Sequence, residues 1–82
     1  MAQYTVYLLK NISDPTRHYT GVTELSVEER LRYHNTGRVP HTSKWGQWAL
    51  ETWVVFSDES KAHAFERYLK SGSGREFARR HF

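Results

Sequence analysis

Cysteine is absent from all 82 residues. Neither a disulfide framework nor a thiolate zinc site can hold such a chain together, and the composition suits a reducing compartment, so a cytoplasmic location is expected. Long apolar runs are missing too. No stretch approaches the ~20 apolar residues of a membrane span, and the N-terminus has no basic region followed by a long apolar one. No membrane partner is expected. Internal repeats, low-complexity tracts and linker-like segments are also missing, which leaves residues 1–82 as one domain. A domain of this size buries only about 60% of the surface its unfolded chain exposes, so its core must be compact. What the chain has in quantity is aromatic. Three Trp, five Tyr and four Phe supply large apolar area per residue and offset a hydrophobic content of only 38%.

Twelve Lys and Arg stand against nine Asp and Glu, a formal charge of +3 that is unevenly spread. From Lys70 onward, Lys70, Arg75, Arg79 and Arg80 face only Glu76. That excess can meet phosphates by counterion release, and it can equally serve as a solvated helix face.

Tyr4 to Leu9 has the composition of a strand, Ser13-Asp14-Pro15-Thr16 supplies turn formers, and Tyr19 to Thr23 resumes β-type composition, which together predict a hairpin. Ser26-Val27-Glu28-Glu29 fits a capping box, so a helix should start at Ser26. Val27, Leu31 and His34 recur at helical spacing, with Gly37 placed to end the helix in a left-handed conformation. Arg30 and His34, one turn apart, share a face. From Arg38 to Gly46 the composition is that of a polar loop, interrupted by Pro40 and carrying Lys44. Trp48 to Phe56 is apolar at both alternating sets of positions and predicts a strand buried on two sides. Ser57 or Asp58 can cap a further helix with Ala62, Phe65 and Leu69 as its apolar stripe, interrupted at Gly72 and Gly74. Residues 75–82 then suit a short basic helix docked through Phe77.

Several of these features fall in a recognisable order. The tripeptides Thr5-Val6-Tyr7 and Tyr19-Thr20-Gly21 precede Arg30 and His34 in the stretch Glu29-Arg30-Leu31-Arg32-Tyr33-His34-Asn35, and Glu66 follows in Phe65-Glu66-Arg67-Tyr68-Leu69-Lys70-Ser71-Gly72. This order resembles the GIY-YIG nuclease family over about Tyr4 to Arg75, most closely its small single-domain bacterial members. The resemblance implies an α/β (α+β) domain with a three-stranded, mostly antiparallel sheet flanked by helices. It also implies an endonuclease that hydrolyses phosphodiester bonds in nucleic acid, DNA over RNA, with Mg²⁺ or Mn²⁺ and no small-molecule cofactor.

On that resemblance the active-site residues are Tyr7, Tyr19, Arg30, His34 and Glu66. Glu66 would hold the metal, since one carboxylate plus waters and phosphate oxygens is a common way to bind a hard divalent ion. Arg30 offers a planar fork of donors to a phosphate, although a helix-face arginine in an ion pair has the same spacing. His34 can accept or relay a proton, or pack near the helix end. Tyr7 and Tyr19 should lie near each other across the hairpin, with Tyr19 favoured as the general base and Tyr7 as its orienter. Tyr4 and Tyr33 are assigned to packing. Gly21 should allow close approach of substrate or of the first helix. Lys44, Lys70, Arg75, Arg79 and Arg80 complete the expected nucleic-acid contacts.

The sequence departs from the family pattern at Thr5 and Thr20, where the pattern has glycine and isoleucine. Val22 and Thr23 follow Gly21 where some members carry a lysine. The rival reading is a binding module that keeps the fold and has lost turnover. A protein-interaction domain is a third.

Overall fold

The computed structural model describes residues 2–82. Two strands, β1 (Tyr4–Asn11) and β2 (His18–Thr23), form the expected hairpin, followed by helices α1 (Val27–Asn35) and α2 (Pro40–Ser43), strand β3 (Trp48–Phe56), and helices α3 (Glu59–Leu69) and α4 (Gly72–His81). The sheet order is β2-β1-β3 with both pairings antiparallel. The fold is α+β, as expected.

Because β1 is central, successive residues point into two different apolar layers. Val6 and Leu8 pack with Ala62 and Leu69 beneath α3, joined by Phe56, Phe65 and Phe77. Tyr7 and Leu9 point the other way and pack with Val27 of α1 and Trp48. The helices on the two faces therefore converge on one sheet, which places α1 and α3 on opposite sides of the same hairpin.

The helix starts are fixed by side-chain caps. Ser26 Oγ accepts from Glu29 N at 3.2 Å, Asp58 Oδ1 from Lys61 N at 3.0 Å, and Ser71 Oγ from Gly74 N at 3.1 Å. Each satisfies an amide that the first helical turn would otherwise leave unpaired, typically worth ~1 kcal/mol. Thr36 ends α1, and Gly37 follows at φ +79°.

Three expectations need correction. Strand β3 is not buried on both sides: Trp53 and Val55 are each 49% exposed. The reason is a bulge. Leu8 pairs with Thr52 but Leu9 with Leu50, so Glu51 is the extra residue and the strand changes faces there. Trp48 and Leu50 thus join the α1 layer, while Val54 and Phe56 turn to the α3 side, and a simple alternation misassigns half the strand. Secondly, the segment read as a polar loop contains α2, because Pro40 sits at the first helical position, where its missing N–H costs nothing. Thirdly, the last helix begins at Gly72 instead of Arg75. Gly74 lies inside it against the Tyr68 carbonyl, where any Cβ would collide with backbone. That glycine allows the tight turn between α3 and α4.

Candidate active site

The hairpin register sets Tyr7 opposite Gly21. With no side chain at Gly21, the Tyr7 ring lies over that backbone. A Cβ there would come within 2.5 Å of the phenol oxygen and 3.0 Å of the Tyr19 ring. The close approach expected of Gly21 is thus made by the protein's own tyrosines. Tyr7 is 1% exposed, and its ring centroid lies 6.2 Å from that of Tyr19.

Helix α1 delivers two partners to this phenol. His34 Nε2 lies 2.8 Å from Tyr7 Oη, and Arg30 Nε donates to the same oxygen at 3.1 Å. The one-turn spacing of Arg30 and His34 is what lets both reach it. Tyr19 packs edge-on against the His34 ring, with centroids 4.8 Å apart.

Thr42, which sequence reasoning did not single out, completes the cluster. Its Oγ1 lies 2.8 Å from His34 Nδ1 and donates to Val39 O at 3.3 Å. With the hydroxyl proton assigned to Val39 O, the Nδ1–H of His34 is the donor to Thr42, an assignment that satisfies all three groups. Nε2 then carries the lone pair and accepts the Tyr7 proton. Tyr7 Oη thus donates to His34 and accepts from Arg30. Three further bonds hold the backing in place: the Trp48 indole donates to Thr42 O at 3.2 Å, and Asn35 bridges α1 to β3 through the N–H and C=O of Trp48. Pro40 at a helix start was the sequence signal that could have revealed α2. Nothing in the sequence showed that a threonine eight residues beyond His34 would return to it.

Burial sets the electrostatics. It pushes the Tyr7 phenol above its usual 10, with Tyr19 and Glu66 adding to the rise and Arg30 opposing it by its hydrogen bond and its charge. Burial, and secondarily Arg30, lowers His34 from 6.5 to about 4. The imidazole is therefore neutral at pH 7.

Glu66 stands on α3, its side chain 17% exposed, and receives Lys70 Nζ at 3.3 Å. Its charge is felt at Tyr7, across the hairpin edge from α1. Of the other expected residues, Lys70, Arg75 and Arg79 line a groove with Tyr19. Arg79 and Arg80 are both paired with Glu76, whose carboxyl they hold down to about 2. Lys44 lies over the Trp45 ring, 5.3 Å from its centroid, and makes no bond to the tyrosine cluster. Tyr4 packs against the α3 layer as expected, and Tyr33 lies beneath Arg38 and Arg30.

Residues 3–80 match the family model of the GIY-YIG catalytic domain, nearly the whole chain. The chain belongs to the GIY-YIG family. No curated protein matches it significantly. Membership indicates nuclease-type function on nucleic acid, in a family whose nucleases are generally divalent-metal dependent. No helix among the described residues is long and apolar enough to cross a membrane.

The buried imidazole makes stability depend on pH. In the unfolded chain His34 titrates near 6.5, whereas the folded protein refuses that proton until about pH 4. Between those values the unfolded state binds more protons, so stability present above pH 6.5 is lost as pH falls toward 4. The contribution is at most about 3 kcal/mol. Thermal unfolding should show a Tm lower by ~10 °C at pH 4.5 than at pH 7.5, with a visibly shallower dependence in His34→Gln. Identical pH slopes in the two proteins would show that His34 is not buried neutral.

Proposed function

We propose that the protein is a divalent-metal-dependent endonuclease that cuts DNA in preference to RNA by in-line attack of water on phosphorus. The observation that best supports this is the convergence of Arg30, His34 and Tyr19 around Tyr7, with the Glu66 carboxylate near enough to add to the rise of the Tyr7 phenol. Among the described residues no three His, Asp or Glu side chains cluster into a closed metal cage. A single carboxylate with open positions for water and phosphate oxygens suits Mg²⁺ or Mn²⁺ instead. Glu66 fits that role, because its partner Lys70 is 54% exposed and free to swing away. When bound, the ion supplies charge stabilisation at the phosphate and at the departing 3′ oxygen.

The chain's own groups divide the remaining work. Arg30 spends its Nε on Tyr7, and its terminal nitrogens make no hydrogen bond among the described residues, so they are available to a phosphate. Tyr7 acts as the hub that orients Arg30. It is a poor base, because passing its proton to His34 moves it from a phenol above 10 to an imidazole at about 4. That transfer is strongly uphill. His34, neutral and bonded at both nitrogens, is a positioning residue by the same argument. Tyr19 has a hydroxyl without a protein partner among the described residues and, as its phenolate, is the group left to take the proton from water.

A panel of single-stranded, duplex and branched DNA and RNA, with Mg²⁺, Mn²⁺ or EDTA, tests this reading. Cleavage that requires the divalent ion is expected. Binding without cleavage under every condition would leave the inactive binding module, and absence of both would remove nucleic acid from the account.

The basic tail should contribute affinity more than chemistry, since its contacts bind ground and transition states alike. Replacing Arg75, Arg79 and Arg80 together with Gln should weaken DNA binding and shrink its salt slope by roughly one unit for each phosphate no longer neutralised. Arg79 and Arg80 must first leave Glu76, so Glu76→Gln should tighten binding. An unchanged salt slope in the triple variant excludes the tail from the substrate path.

A further inference from the structure

Beside the tyrosine edge, a groove of about 770 Å³ runs between the β1–β2 hairpin and α4. Its floor is apolar, made by Leu8, Leu69 and Ala78. One wall is the Phe82 ring, 37% exposed yet held in place by an edge-on contact with Phe77 at 5.4 Å and by the bond from its amide to Ala78 O at 2.8 Å. Lys70, Arg75 and Arg79 stand on the rim, Lys70 paired with Glu66 and Arg79 with Glu76 until a phosphate draws them away. Glu51 also lies there, but its carboxylate is countered by Lys10 at 3.7 Å and faces His18 at 3.5 Å. Tyr19 and Thr20 line the near end on β2, at the edge of the sheet; the groove floor lies on the α3 face and the Tyr7–His34 cluster on the α1 face, with Tyr19 common to both.

A duplex presents phosphates to a basic rim but keeps its base faces stacked, so it has nothing to bury against an apolar floor. An unpaired nucleotide presents both a phosphate and a free π face. We propose that this groove receives an unpaired base of the strand being cut, which makes the substrate single-stranded or a duplex with a single-stranded extension. The base lies against Phe82 over the Leu8–Leu69 floor, and the adjacent phosphates run along the cationic rim toward Tyr19. The inference rests on the nuclease reading, and it adds the strand form that the site accepts.

Fluorescence anisotropy with Ca²⁺ in place of Mg²⁺ tests it on three labelled two-stranded DNA duplexes, which have no loop. One is blunt, one carries three unpaired thymidines, and one carries three abasic nucleotides of the same length and charge. Equal charge cancels the counterion contribution, so any difference between the last two belongs to the bases. The thymidine extension should bind about tenfold more tightly than the abasic one. Phe82→Ala should bring those two affinities together and leave that of the blunt duplex unchanged, while Phe82→Trp retains the difference. Equal affinity for thymidine and abasic extensions would overturn the base site and leave the nuclease reading intact. So would a difference that survives in Phe82→Ala. Failure to bind any of the three would overturn both.

Discussion

Glu66→Ala should reduce cleavage to background while the protein stays folded. The carboxylate, 17% exposed on α3, has the 54% exposed Lys70 as its partner, and a pair with a solvent-exposed member is worth ~1 kcal/mol. Alanine is the best helix former, which offsets part of that loss. Stability should therefore shift by only a few degrees in Tm, whereas activity loses the one acidic group whose charge is felt at Tyr7. Several orders of magnitude in turnover are expected, because charge stabilisation at a phosphate is worth several kcal/mol. Paramagnetic broadening by Mn²⁺ gives a readout that does not depend on turnover. Resonances near Glu66 should broaden in the wild type and much less in the variant. Near wild-type cleavage by Glu66→Ala in Mg²⁺, with Mn²⁺ broadening unchanged, would move the metal elsewhere.

How far this site was legible in the sequence depends on how local each contact is. Arg30 and His34 lie one helical turn apart, and Tyr7 and Gly21 face each other across a hairpin. A period of 3.6 and a strand register are enough to bring such residues together. The resemblance to the GIY-YIG pattern added Glu66, which no local rule connects to Tyr7. What stayed hidden was the packing behind the site. Thr42 reaches His34 only because the chain reverses after α1 and Pro40 starts a four-residue helix whose carbonyl the Trp48 indole then takes. The face change in β3 was equally invisible, since a bulge at Glu51 leaves no compositional mark in an apolar strand. Sequence reasoning allowed His34 as a proton acceptor. Full burial between Tyr7 and Thr42, which a helical histidine's spacing cannot reveal, argues against that role.

Tyr19→Phe should lower turnover by roughly 10²–10⁴-fold, the usual contribution of a general base, with little change in stability. The hydroxyl removed makes no hydrogen bond among the described residues, and the ring keeps its edge-on contact with His34. Tyr7→Phe should behave differently. It removes a buried oxygen that accepts from Arg30 and donates to His34, leaving His34 Nε2 without its partner, and a buried unsatisfied group of that kind costs ~1–3 kcal/mol. Tm should fall in Tyr7→Phe by ~5 °C or more while it holds in Tyr19→Phe. The pH profiles separate the catalytic roles. If Tyr19 takes the proton, its loss removes the rise in rate on the alkaline side, whereas Tyr7→Phe keeps the shape of the profile and lowers its height through a misplaced Arg30. Circular dichroism on both variants ensures that rates are compared between folded proteins. An alkaline limb that persists in Tyr19→Phe and vanishes in Tyr7→Phe would exchange the two roles, and the buried Tyr7 phenol would then have to ionise beside Arg30 despite the burial that opposes it.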